Sequence, residues 1–181
     1  QLPRRAGIGQ KQCGLVIDHS FDQLIHTLGA APVMGVSLAN VSLLRLDNVG
    51  GLAPGNKSFK LRDYLAAAKC LAAPRLVSFG GVWSNHLHAL AALGHHHQIE
   101  TVGIVRAQET ELESAMLTDA KRWGMRIVHV SRQEYRQRND AGYLQRLNER
   151  FAPCLLIPEG GSSVTGAMGC GAIAQLIQRN A

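Results

Sequence analysis

Leu76-Val77-Ser78-Phe79-Gly80-Gly81-Val82-Trp83-Ser84-Asn85-His86-Leu87-His88 decides the fold. A short apolar run with strand character ends in a glycine pair, and Ser84 with Asn85 then stands where a helix cap and a first helical residue belong. The same handover recurs downstream. Short apolar runs stand at Val102-Gly103-Ile104-Val105, Ile127-Val128-His129-Val130 and Leu155-Leu156-Ile157, and helical spacing fills 85–97, 111–123 and 140–151 between them. Strand alternating with helix over about 80 residues predicts an α/β fold: a parallel twisted sheet with helices on both faces.

Upstream of this region, Lys57 to Cys70 has helical spacing, with Leu61, Tyr64, Leu65 and Ala68 on one side. Ser42 to Leu46 fits a strand and Gly50 to Gly55 a connecting loop, whereas residues 1–35 show no strong periodicity. Thr165 to Asn180 reads as a helix. A doubly wound sheet ordinarily continues from there to another strand, and the chain has no initiating Met, so it reads as an N-terminal fragment.

Composition narrows the function classes. The 181 residues are 46% hydrophobic and 18% charged, as in a soluble globular protein, and no run of about 18 apolar residues could span a bilayer. Gln1-Leu2-Pro3-Arg4-Arg5 is not followed by the apolar stretch of a signal peptide. The net charge of +6 favours anionic small molecules. It does not point to nucleic acid, because the densest basic stretch, Arg132 to Arg138, contains Glu134 and no basic–aromatic interleaving. Cys13, Cys70, Cys154 and Cys170 form no C-x-x-C pair, which disfavours a zinc site. Four cysteines do not make a disulfide scaffold, and reduced thiols in a cytoplasmic protein are the plain reading. His95-His96-His97 cannot converge on one ion, since neighbouring helical residues point about 100° apart; no metal is expected there.

Three segments could carry chemistry. Gly50-Gly51-Leu52-Ala53-Pro54-Gly55-Asn56-Lys57-Ser58 is a glycine-rich loop opening onto a helix, able to present amides to an anion or to aim Lys57 into a cleft. Desolvation there would favour a neutral amine able to condense with a carbonyl; an exposed first-turn lysine fits the segment too, and the Walker pattern is not met. At Ser84-Asn85 the end of a strand meets a helix, where ligands of open α/β sheets bind. Ser84 suits proton transfer or nucleophilic attack, and Asn85 a hydrogen bond to a ring oxygen, but simple capping accounts for both. Ile157-Pro158-Glu159-Gly160-Gly161-Ser162-Ser163-Val164-Thr165-Gly166 repeats that arrangement, either lining the same crevice or serving as a tight turn capped by Ser163 or Thr165.

Together, Gly55-Asn56-Lys57-Ser58-Phe59-Lys60-Leu61, Gly80-Gly81-Val82-Trp83-Ser84-Asn85-His86 and Pro158-Glu159-Gly160-Gly161-Ser162 resemble the 1-aminocyclopropane-1-carboxylate (ACC) deaminase / D-cysteine desulfhydrase family of fold type II, tryptophan-synthase-β-like pyridoxal-phosphate (PLP) enzymes. The resemblance covers roughly residues 40–180. It implies that Lys57 holds PLP covalently, that Asn85 contacts the cofactor ring oxygen and that Ser84 is an active-site serine. Asn56 and His86 complete the motifs. A small amino acid is the implied substrate, and a keto acid with ammonia the implied products. The implied domain division is 1–70 as part of the large domain, 71–165 as the small α/β domain and 166–181 as the return; a homodimer is expected, with no nucleic-acid or membrane partner. Phe59 departs from the family, where a basic residue is common, and the family's glycine-rich phosphate loop has no counterpart in this sequence. Cysteine synthases and serine/threonine dehydratases, with Ser-x-Lys-x-Arg and Ser-Gly-Asn segments, fit less well. The reading of a different class is a non-catalytic α/β module for an anionic small molecule.

Overall fold

The computed structural model describes residues 25–27, 42–48, 53–70, 75–107 and 113–180. Ile25–Thr27 (β1) and Ser42–Leu44 (β2) pair antiparallel. Lys57–Cys70 (α1) precedes the alternating region, which runs Arg75–Gly81 (β3), Asn85–His97 (α2), Glu100–Arg106 (β4), Ala115–Arg122 (α3), Arg126–Val130 (β5), Arg132–Arg136 (α4), Ala141–Phe151 (α5), Leu155–Ile157 (β6) and Val164–Asn180 (α6). The four expected strands are β3 to β6; β3 and β4 are buried along their middles, whereas the edge strand β5 is buried only at Val130 and β6 only at Ile157. The helix expected over 111–123 begins at Ala115, capped by Ser114. Residues 111–112 lie outside the described residues, as do 50–52 of the expected loop, 1–24 and Cys13.

The strand order is β5-β4-β3-β6, with every neighbouring pair parallel. Consecutive strands β3, β4 and β5 build the sheet in one direction, and β6 then returns to the other side of β3. The seam between β3 and β6 is therefore a topological switch point, and a crevice opens outside the carboxyl ends of strands at such a seam. Residues 82–84 and 158–163 leave those two strand ends. Both glycine-rich turns read from the sequence thus stand at the seam.

Side chains alternate across the sheet with the period-two geometry of strands. Leu76, Val105 and Ile157 pack with Leu61 and Leu65 of α1, Leu87 and Leu90 of α2 and Leu117 of α3. Val77, Phe79, Val102 and Ile104 belong to a second cluster with Tyr135 of α4 and Tyr143, Leu147 and Phe151 of α5. Helices therefore cover both faces, as the sequence predicts. Each of the large side chains buried in these layers contributes about 1.5–3 kcal/mol of transfer free energy.

Helix starts are fixed by side-chain caps. Ser84 Oγ accepts from Leu87 N–H at 3.2 Å, Ser131 Oγ from Glu134 N–H at 3.1 Å, Asp140 Oδ1 from Tyr143 N–H at 2.8 Å and Ser163 Oγ from Gly166 N–H at 3.0 Å. Such caps are worth about 1 kcal/mol each. Ser114 both caps α3, through Leu117 N–H at 3.2 Å, and donates to Val82 O, which ties α3 to the turn after β3. The His95–His97 run ends α2, as expected, with Gln98 left-handed (φ 57) at the C-cap. Among the described residues no helix is long and apolar enough to cross a membrane.

Helix α1 is held from its far side by α6. Phe59 is buried beneath Cys170, Ala172 and Ile173, and a Cβ at Gly169 would overlap the Phe59 carbonyl. The two backbones approach that closely because position 169 has no side chain. This contact fixes the first turn of α1, and with it Lys57.

Candidate active site

Lys57 begins α1. The chain reaches it through Gly55, whose left-handed backbone (φ +81) suits a residue without Cβ, and Gly55 N–H donates to Leu46 O at 2.8 Å. Asn56 carbonyl accepts the first helical bond, from Lys60 N–H at 3.1 Å. The Lys57 amine donates to Asn56 Oδ1 at 2.7 Å. Burial, and then the neighbouring Lys60 charge, lower the amine pKa below the ordinary lysine value; Cys170 acts weakly the other way. A larger neutral fraction makes a lysine a better nucleophile and base.

A cleft of about 340 Å³ opens here, lined by Asn56, Lys57, Asn85, His88, Ala89 and Met116 among others. Three of the sequence-selected residues, Asn56, Lys57 and Asn85, therefore meet in one concavity. Motif reading does not single out His88 or Met116. His88 is three residues after Asn85, so the helical repeat puts both on one face, and that spacing is the signal available in the sequence. Its Nε2 lies 3.4 Å from Asp119 Oδ2, and its ring stands edge-on to Trp123 with 4.7 Å between centroids.

Ser84 is placed differently. It lines a neighbouring cleft of about 390 Å³ with Gly81, Trp83, Arg106, Arg132 and Glu159. The Ser84-Asn85 turn thus separates two clefts, presenting one residue to each. The expected proximity of the Glu159-Gly160-Gly161 turn to this region is met, because Glu159 lines the Ser84 cleft and Lys60 Nζ donates to Gly160 O at 3.4 Å.

His86 lines neither cleft. It is 3% exposed and its Nε2 is 2.8 Å from Ser78 Oγ, which itself donates to Ile157 O at 2.9 Å. One hydroxyl has one proton, so the bond to Ile157 leaves Ser78 as acceptor and His86 Nε2–H as donor. The bond places a proton on Nε2, so in the neutral ring the lone pair is on Nδ1, which has no hydrogen-bond partner among the described residues. Burial, then Lys57 and Lys60, push its pKa down to about 4, against a smaller upward pull from Glu159.

The residues present suit PLP in two respects. A half-buried amine of lowered basicity is available to the aldehyde, and an amide, Asn85, shares its cleft. No group of three or more metal-ligating side chains is gathered among the described residues.

In fold and in sequence, this parallel α/β sheet is similar to ACC deaminase homologues. The solved structure described as "Crystal Structure Analysis of the ACC deaminase homologue" matches with a TM-score of 0.65 at 24% identity, over 77% of this chain and 43% of that one. In sequence the chain is a relative of the "Putative 1-aminocyclopropane-1-carboxylate deaminase" of Thermotoga maritima, 30% identical over 132 residues, which are 72% of this chain and 42% of that protein. The chain thus spans less than half the length of either. No family model matches it. The resemblance to ACC deaminases drawn from the three motifs is borne out in sequence by the Thermotoga relative, and the expected fold by the solved structure.

Proposed function

We propose that this chain carries the cofactor-bearing lysine of a PLP-dependent lyase or deaminase acting on a small amino acid, of the ACC deaminase or D-cysteine desulfhydrase type, with a keto acid and ammonia as products. The observation that carries the reading is the meeting of Lys57, Asn56 and Asn85 in one cleft, with the Lys57 amine held below its ordinary basicity.

Residues 1–70 would contribute to the large domain and 71–165 would form the small one. PLP, when bound, supplies an electron sink for negative charge at the substrate Cα. Lys57 would hold the cofactor covalently, and its free Nζ would take and return the Cα proton; burial and the Lys60 charge shift the amine toward its neutral form. Asn85 would orient the cofactor ring by a hydrogen bond from its amide. Asn56 Oδ1 positions the lysine amine. Ser84 offers its hydroxyl proton from the adjoining cleft, and His86 braces the turn from beneath through Ser78.

The test is the visible spectrum of the chain mixed with PLP, followed by borohydride reduction and peptide mapping, beside Lys57→Ala. We expect an imine band and a reduced adduct at Lys57, both lost in the variant. An adduct spread evenly over Lys57, Lys60 and Lys69, or no Lys57-dependent band, overturns the reading. For the loaded enzyme, sulfide released from D-cysteine separates the desulfhydrase from an ACC-opening deaminase, which yields a keto acid without sulfide.

A further inference from the structure

The carboxyl edge of β4 and the helix after β5 gather arginines that the proposed chemistry at Lys57 does not use. Arg106 ends β4, Arg132 and Arg136 lie on α4, and Arg138 follows it. With Tyr135 these four line a concavity of about 310 Å³. Arg106 and Arg132 also line the adjoining Ser84 cleft, so the two concavities share a cationic wall.

Several features set this group apart from scattered surface arginines. Tyr135 is 3% exposed and forms a fixed floor: the Arg106 and Arg138 guanidiniums stand 5.5 and 5.0 Å from its ring centroid. Two cations on one ring repel each other, and a planar guanidinium on an aromatic face is pre-organised for bidentate oxyanion recognition. Among the described residues no acid lines the arginine concavity itself; Glu159 lines the adjoining Ser84 cleft, and both of its oxygens are engaged. Oε1 accepts from Tyr135 O–H at 2.7 Å and Oε2 from Arg138 Nε at 2.6 Å. Arg106 has no carboxylate partner among the described residues. Trp83, 68% exposed, lines the joined cleft and offers a flat apolar surface to the body of a ligand.

We propose that Arg106, Arg132, Arg136 and Arg138 form a binding site for a small organic anion bearing a phosphate or carboxylate group, distinct from the Lys57 cleft. The position, outside the carboxyl ends of parallel strands, is where such folds place ligands, and a doubly charged oxyanion would relieve the repulsion among the guanidiniums.

The experiment titrates the chain with inorganic phosphate and, separately, with malonate at constant ionic strength, read by heat and by tryptophan fluorescence. Saturable binding of one or both is expected, and the tighter of the two names the anion class. Arg106→Gln should weaken it at least tenfold and the exposed Arg136→Gln several-fold. Arg122→Gln, on the surface of α3, and Lys57→Ala should leave it unchanged, which keeps the outcome separate from the PLP reading. Absence of saturation for both anions overturns the proposal. So does equal weakening by Arg122→Gln, or loss of binding in Lys57→Ala.

Discussion

Ser78 and His86 stand eight positions apart in sequence and 2.8 Å apart in the core, joined across the turn between β3 and α2. Ser78 donates its O–H to Ile157 O on β6, so one hydroxyl couples the helix start to both strands of the seam. Ser78→Ala would leave Nε2–H of His86 unpaired in the core. A loss of about 1–3 kcal/mol is expected, read as a lower urea midpoint with an unchanged slope; an unaltered midpoint would remove the coupling.

The same buried imidazole makes stability depend on pH. The folded chain takes up this proton only near about 4, the unfolded chain near 6.5. Between those values the unfolded state binds more protons, so stability is full above about pH 6.5 and falls as pH falls toward 4. The contribution reaches about 3 kcal/mol at most. Urea midpoints at pH 7 and pH 4.5 should differ less in His86→Gln than in the parent; an identical pH slope would exclude His86 as the source.

Lys60 lowers the basicity of Lys57 through its charge, after burial the largest influence. Lys60→Gln should move the Lys57 amine up toward the ordinary lysine value. Reductive ¹³C-methylation of the lysines and an NMR pH titration would follow it directly, and an unmoved or lowered Lys57 resonance pKa would contradict the coupling.

Ser84 combines capping with exposure to a cleft, and the two roles can be separated. Ser84→Ala removes the cap from α2 and should destabilise by about 0.5–2 kcal/mol, whereas Ser84→Asn supplies another cap and should recover most of it. If Ser84 also moves protons, Ser84→Asn will match the parent in thermal stability and fall short in turnover of the loaded enzyme. Equal turnover in Ser84→Asn confines the residue to capping.

Gly169 and Gly171 lie on the same helix with opposite surroundings. A Cβ at 169 overlaps the Phe59 carbonyl, whereas at 171 nothing lies within 4 Å. Gly169→Ala should force α6 away from α1 and cost about 1–3 kcal/mol. Gly171→Ala should be neutral or stabilise by up to about 1 kcal/mol through helix propensity. Thermal melts of the pair decide whether the close approach of the backbones is needed.

The sheet is legible in the sequence because Val77, Phe79, Val102 and Ile104 are buried on strands whose β-branched and aromatic residues alternate with those facing α1 and α2. Helix starts are legible where a Ser precedes an apolar period, as at Ser84. The three-residue β1 is too short to leave a period in sequence, and nothing local announces its pairing with β2. Lys57 and Asn85 are recognisable by motif, but their sharing of a cleft follows from how α1 packs on α2. Local sequence does not separate Ser84 from them, because the parting depends on the direction in which α2 leaves the turn. Tyr135 sits in a stretch whose charges suggest a solvated surface; its burial arises from Phe79, which meets it edge-on at 6.4 Å, and the arginines over its ring come from separate segments of the chain.

The cap at Ser84 also polarises that hydroxyl. One lone pair of Oγ is committed to Leu87 N–H, while the hydroxyl proton has no acceptor among the described residues. At rest the group is therefore a source of hydrogen bonding toward its cleft more readily than an attacking oxygen. A ligand arriving there meets a donor first, and the helix behind it acts as the anchor that keeps the serine facing that way.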